Sequence, residues 1–179
     1  MAEQVFPTKG NLIKAKKTLA LCNLGYELMD RKRNILIREM MTLMDKAKSL
    51  RDSIEDTYKE AYAALQGANI TLGVIENIAR SIPVENGISV SYRSVMGVDI
   101  PKLTLKRTKT EVPYGFYSTN SQLDQAYVSF SKVKDITVLL AEVENSIYRL
   151  AIAIKKAQRR ANALQNVLCL LYTSDAADE

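Results

Sequence analysis

The sequence contains no histidine and no tryptophan. Without histidine there can be no histidine-based triad, no histidine general base and no histidine metal ligand. Glycine (7) and proline (4) are scarce for 179 residues. So few chain breakers favour long helices over a many-turned β fold. The two cysteines, Cys22 and Cys169, lie too far apart in sequence to form a metal or redox motif. No phosphate loop of the Gly-x-x-x-x-Gly-Lys-Ser/Thr type is present, and no Gly-x-Gly-x-x-Gly. Glu142 and Glu144 are two residues apart and cannot share a helix face, so a paired-carboxylate site is not suggested. No catalytic residue, no cofactor and no metal site is expected. No apolar run approaches the roughly 20 residues of a membrane span, and no basic leader precedes an apolar stretch. These absences predict a soluble, cytoplasmic protein with no direct membrane insertion, reaching a membrane only through partners.

What the sequence does contain is a hydrophobic repeat of alternating three- and four-residue steps. It runs from Leu12 through Leu19, Cys22, Leu36, Ala47, Ala61 and Ala68 to Ile75, Ile78 and Ile82 without a register slip. Among its positions only Arg33, Thr57 and Thr71 are clearly polar. A period of 3.5 marks a helix that supercoils around a partner. At 1.5 Å per residue such a seam makes a rod roughly 100 Å long. Cys22 sits on the seam and is expected to be a buried thiol. Thr8 is placed to cap the helix, and Pro7 keeps Phe6 extended. Pro83 is expected to end the helix at about Ser81, with Gly67 and Gly73 as places for a bend.

Residues 83–120 change character. Ile88, Val90 and Tyr92 alternate with Ser89, Ser91 and Arg93, a strand pattern. Val98 and Ile100, then Leu103 and Leu105, suggest further extended chain around Gly97 and Pro101. A β-hairpin within about residues 86–110 fits, followed by an aromatic loop over Val112–Tyr117. Ser121 and Asp124 resemble a capping box. A second seam then runs from Ala126 through Val133, Val143, Leu150 and Ala157 to Leu168.

The simplest fold is all-α: a long antiparallel two-helix coiled coil with a small β-hairpin insert. It forms one domain over residues 1–168, with helices at about 9–81 and 121–168 and the insert at about 83–120. If Ser81 and Ser121 are level, Leu168 lies opposite about residue 34. The seam from Leu12 to Met29 then lacks a partner within the chain. Residues 169–179 lose both the seam and the basic character. They resemble one translated reading frame of a transposase adapter used in sequencing libraries, and a non-native tail on a truncated chain is expected.

The net charge is +5, and residues 1–168 carry 25 basic and 17 acidic residues. The basic residues are interleaved with acids, as in Arg38-Glu39 and Arg51-Asp52. A solvated helical face explains them better than a nucleic-acid site, and no nucleic-acid partner is expected.

Three stretches in order carry a resemblance. The first is Pro7-Thr8-Lys9 leading to Gly25-Tyr26-Glu27-Leu28-Met29-Asp30-Arg31-Lys32-Arg33-Asn34-Ile35-Leu36. The second is Ser94-Val95-Met96-Gly97-Val98-Asp99-Ile100-Pro101. The third is Gln158-Arg159-Arg160-Ala161-Asn162-Ala163-Leu164. Together, over residues 5–168, they resemble the D-subunit family of V-type (A/V-type) rotary ATPases and ATP synthases. Met29, Asp30 and Asn34 depart from the family's commonest residues, and Ala161 stands where the family has valine.

The resemblance implies a central-stalk rotor that transmits torque between a catalytic head and an ion-translocating membrane ring. ATP would then be made or hydrolysed in the head, coupled to proton or sodium transport, and this chain would be non-catalytic. The implied partners are the A and B subunits of the head, the F subunit of the stalk, and the d (or C) subunit that links to the ring. The chain would be peripheral to the membrane through the complex. Candidate head contacts are Lys14, Lys17, Arg31, Lys32, Arg33, Arg159 and Arg160. Candidate contacts of the insert are Val95, Met96, Gly97, Val98 and Pro101. The seams alone would equally suit a generic coiled-coil adaptor or scaffold without a rotary role.

Overall fold

The computed structural model describes residues 8–106 and 114–169. The lead-in around Pro7, the start of the aromatic loop at Val112-Pro113 and the tail residues 170–179 lie outside the described residues. Helix α1 spans Lys9–Leu72. Its first turn is capped by Thr8, whose Oγ1 accepts from the Asn11 amide at 3.3 Å. Helix α2 (Glu76–Ser81) follows, then strands β1 (Ile88–Val95) and β2 (Val98–Leu105), which pair as a two-stranded sheet. A 3₁₀ turn at Phe116–Ser118 leads to helix α3 (Ser121–Ala163), and a π-helical turn (Leu164–Cys169) extends it. The described residues are thus all-α apart from one hairpin. Among the described residues no helix is long and apolar enough to cross a membrane. These residues group into two compact units, one holding residues 8–40, 95–98 and 149–169, the other the remainder.

In the second unit α1 and α3 run antiparallel. Thr71 Oγ1 donates to Gln122 Oε1 at 2.9 Å, and Arg51 pairs with Glu144 at 2.9 Å. The seam residues Ala47, Ala61, Ala68, Ala126, Ser129, Val133 and Val143 are buried between them. Alanine at 61 and 68 is fully covered, so the helix axes approach closely there. An aromatic ladder flanks the seam: Tyr58 stacks on Tyr62, and Tyr62 meets Phe130 edge-on at 5.7 Å.

In the first unit the two helices are again antiparallel. Arg33 donates to Gln158 Oε1 at 2.6 Å, and a Cβ on Gly25 would lie 3.5 Å from Leu164 Cδ1. Cys22, Leu36, Leu150, Ala157 and Ala161 are buried on the seam. Arg33 is tolerated in the apolar seam because its guanidinium is paired with Asp30 at 2.5 Å as well as with Gln158.

Two expectations need correction. The long helix ends at Leu72 rather than about Ser81, and the cause is Gly73. Its φ of +73° is left-handed, a conformation glycine adopts without a Cβ clash, and it stops the helix nine residues before Ser81. Pro83 ends only α2, where Ile82 is extended. The pairing register moves with it. Leu164 lies level with Gly25, not near residue 38, so α3 covers about ten more residues of the α1 seam than expected. The second correction is at the start of α3. Asn120, not Ser121, is the cap, its Oδ1 accepting from the Leu123 amide at 3.0 Å.

Ile75, Ile78 and Ile82 keep the seam's spacing but do not continue the coil. They pack with Leu72 and Tyr127 around Ala68, Tyr114 and Leu123. Asp124 accepts a hydrogen bond from the Tyr114 hydroxyl at 2.7 Å. Burial, helped by that bond, pushes the Tyr114 pKa up to about 12. The folded state therefore favours the neutral phenol. Its contribution is fully present below the unfolded value near pH 10 and is lost as pH rises through about 12. Titration of the nine tyrosines by ultraviolet absorbance should show one late step. Tyr114→Phe should remove it, and an unchanged titration curve in that variant would contradict the assignment.

Candidate functional site

Basic residues are distributed unevenly along both long helices. Residues 9–40 carry eight basic and three acidic residues, and residues 145–169 carry five basic and none acidic. Residues 41–72, by contrast, carry four basic and five acidic residues, and residues 121–144 two and four. The first unit is therefore strongly cationic, and the second is close to neutral or slightly acidic along its helices. All seven candidate head contacts lie in the first unit.

The structure separates those seven by environment. Lys14, Lys17, Arg31, Arg159 and Arg160 are exposed. Arg31 makes only a loose i,i+4 pair with Glu27 at 3.5 Å, of little energetic weight on an exposed face. Lys32 and Arg33 are half-buried. Arg33 is committed to Asp30 and Gln158, which makes it a seam residue that fixes two helices rather than a free charge.

The hairpin turn joins this unit. Met96 (φ 51°) and Gly97 (φ 76°) both occupy left-handed backbone, the requirement of a tight two-residue hairpin turn. A Cβ on Gly97 would lie 4.0 Å from Lys32 Nζ, so the turn sits beside a candidate head contact. Val95 and Val98 are half-buried, and Met96 and Gly97 are exposed. Pro101 differs from these four. It is buried in the second unit, its carbonyl 3.5 Å from Ser146 Oγ.

No sequence pattern marks how β2 is fastened. The Leu103 amide donates to Glu142 Oε2 at 2.7 Å, and Ile100 is buried. β1, by contrast, is exposed along nearly its whole length, with Ile88, Val90 and Tyr92 about half accessible or more. Ser89 Oγ and Ser91 Oγ of β1 donate to the Thr104 and Lys102 carbonyls of β2.

Two apolar grooves also went unforeseen. One, in the second unit, is lined by Ile54, Tyr58, Tyr62 and Ala63 with Arg51, Glu55, Lys59 and Gln66. The other, in the first unit, brings Ile37 and Met40 of α1 beside Ala151 and Ile154 of α3, with Arg33, Lys155, Gln158 and Arg159. The only sequence signal for the second was the lack of acids between residues 145 and 169. Among the described residues no group of three or more His, Cys, Asp or Glu could hold a metal ion.

Comparison with known proteins bears on all of these residues. Residues 11–169 match the family described as the D subunit of ATP synthase. The chain is similar to the V-type ATP synthase D subunit of Thermotoga neapolitana, with 43% identity covering 98% of this chain and 90% of that protein. It is similar to the A-type ATP synthase D subunit of Thermococcus kodakarensis, with 35% identity covering 94% and 82%. It is also similar to the corresponding A-type protein of Pyrococcus furiosus, with 36% identity covering 92% and 79%.

Proposed function

The chain belongs to the ATP synthase D-subunit family, and from that membership we propose that it is the central-stalk rotor of a V/A-type rotary ATP synthase. Membership makes it a component of such a complex. The finer reading is that it carries torque between the catalytic head and the ion-translocating ring and does no ATP chemistry itself. The observation that carries this reading is the pairing of two long helices along an apolar seam in each unit, with positive charge gathered in one of the two.

A packed seam resists twisting because its side chains interlock at crystal-like density. A single asymmetric cationic surface inside a ring of similar catalytic interfaces would meet each interface differently. Only such differential contact can bias each interface toward a different conformation. We assign the head contacts to Lys14, Lys17, Arg31, Lys32, Arg159 and Arg160. We assign Val95, Met96, Gly97 and Val98 to contacts made by the insert. The partners in this reading are the A and B subunits of the head, the F subunit of the stalk and the ring-linking d (or C) subunit. The whole chain acts as one rotor-stalk domain, peripheral to the membrane through the complex.

The test is assembly followed by single-molecule observation. The full chain, mixed with the purified A, B and F subunits, should co-elute with the head. A bead tethered to its hairpin should rotate on addition of ATP. Co-elution with unrelated coiled coils but not with the head would favour an adaptor instead. Retention on nucleic acid that weakens steeply with salt would favour a nucleic-acid rod.

A further inference from the structure

Of the asparagines in the sequence, only Asn86 is followed by glycine. That pair is the one most prone to spontaneous deamidation, because glycine has no Cβ to keep its amide nitrogen away from the asparagine carboxamide. Asn86 lies in the irregular stretch 83–87 between α2 and β1, outside any helix or strand. It is exposed, and its carboxamide makes no hydrogen bond among the described residues. Asn120 and Asn145, each followed by the small residue serine, are both tied down. Asn120 Nδ2 donates to Thr71 Oγ1 at 2.8 Å, and Asn145 Nδ2 donates to the Ala141 carbonyl within α3 at 2.9 Å.

Deamidation needs the Gly87 amide nitrogen as nucleophile, and that nitrogen must first give up its proton. Here the amide is engaged. It donates to the Glu85 carboxylate, and Glu85 Oε1 lies 2.9 Å from where a Cβ on Gly87 would stand. Glu85 is itself held by α3, with Lys134 Nζ 2.8 Å from its Oε2. The Lys134 ammonium is the main cause that keeps the Glu85 carboxyl below the usual carboxylate range, and the Gly87 amide adds to it. A carboxylate beside the amide opposes the second negative charge that deprotonation would create. The carboxamide of this pair is therefore open to attack, while its nucleophile is guarded by one side chain.

We propose that Asn86 is a modification site that converts to aspartate and isoaspartate through a succinimide, and that Glu85, fixed by Lys134, holds the conversion in check. The Gly87 nitrogen forms a bond to Asn86 Cγ as the bond from Cγ to Nδ2 breaks. The proton lost from the Gly87 nitrogen leaves with the departing ammonia. One water then opens the ring: attack at Cγ gives aspartate, and attack at the main-chain carbonyl gives isoaspartate. Either product adds a carboxylate next to Glu85. Isoaspartate also lengthens the main chain by one methylene just before Gly87, whose carbonyl accepts the bond from the Lys106 amide that closes the hairpin. Neither the site nor its guard depends on the chain acting as a rotor.

The experiment incubates the purified full chain at fixed pH and temperature and follows the tryptic peptide 81–93 by mass spectrometry. A zero-time sample corrects for conversion during digestion. Replacement of the carboxamide nitrogen by oxygen gives the mass change, and methylation by an isoaspartyl methyltransferase marks the isoaspartyl product. The variants are Glu85→Ala, the near-isosteric Glu85→Gln, Lys134→Met and Asn86→Ser, each checked for helix content by circular dichroism. Glu85→Ala should speed conversion at least about threefold, which matches the modest net worth of one hydrogen bond. Glu85→Gln should also speed it, because it keeps the shape but removes the charge. Lys134→Met should speed it less, because it frees the carboxylate without removing it. Asn86→Ser should yield no product, and Asn120 and Asn145 should stay unconverted in every variant. Equal rates in the wild type, Glu85→Ala and Glu85→Gln would overturn the guard. Absence of product at Asn86 in every chain, or conversion of Asn120 or Asn145 as fast as Asn86, would overturn the site. In the isolated isoaspartyl fraction, amide exchange at Lys106 should be faster than in the unmodified chain.

Discussion

Leu36→Ala is expected to destabilise the chain by about 3 kcal/mol, within the range for large-to-small changes in a packed core. Leu36 is fully buried on the α1 seam, as is Leu150 on α3. Truncation removes three carbon atoms from a site that two rigid helices cannot close, so transfer energy and cavity cost add. Leu28 offers the contrast. It lies two turns earlier on the same helix and is 52% exposed, so Leu28→Ala should cost under about 0.5 kcal/mol. Urea denaturation followed at 222 nm measures both. Equal costs for the two variants would mean that the seam is not packed as described.

The second large effect is expected at Gly87. A Cβ added there would collide with the Lys106 carbonyl oxygen, a main-chain atom that has no side-chain freedom to move aside. It cannot yield without straining the bond from the Lys106 amide to the Gly87 carbonyl, 2.9 Å long, which closes the open end of the hairpin. Gly87→Ala should therefore release that end, at a cost of about 2 kcal/mol or more. Amide exchange at Lys106 should accelerate by at least an order of magnitude, while exchange at seam positions such as Leu150 stays slow. Gly115→Ala is the control, since a Cβ there meets nothing within 4 Å. If the two variants exchange alike, the close approach at Gly87 has no energetic weight.

The seam was the most legible part of this fold. Every predicted α1 position from Leu12 to Ala68 is buried or half-buried, and so is every α3 position from Ala126 to Leu164. Period and burial agree because a two-helix interface leaves one stripe per helix out of water. The Thr8 cap and the hairpin around Gly97 were legible for the same local reason, a residue type that satisfies one backbone requirement. The end of α1 was not legible. A lone glycine inside a helix costs only about 1 kcal/mol, less than a few seam contacts, so Gly73 looked tolerable. Ile75, Ile78 and Ile82 then hid the break. Their spacing is helical, but it serves a cluster around Tyr114 and Leu123 rather than the coil. Periodicity reports that a face is buried and not what buries it. The first-unit groove was invisible for a related reason. Ile37 and Ile154 are more than a hundred residues apart, and only the helix register, which the early break resets, brings them together.

The left-handed turn at Gly73 also bears on which changes of chain length this fold can absorb. A residue deleted between Lys9 and Leu72 would rotate every later side chain on α1 by about 100° and turn the remaining seam away from α3. Residues 73–82 lie beyond the paired stretch and answer only to a local cluster. Homologous chains can therefore gain or lose residues in that segment while the spacing of the seams on either side of it stays fixed.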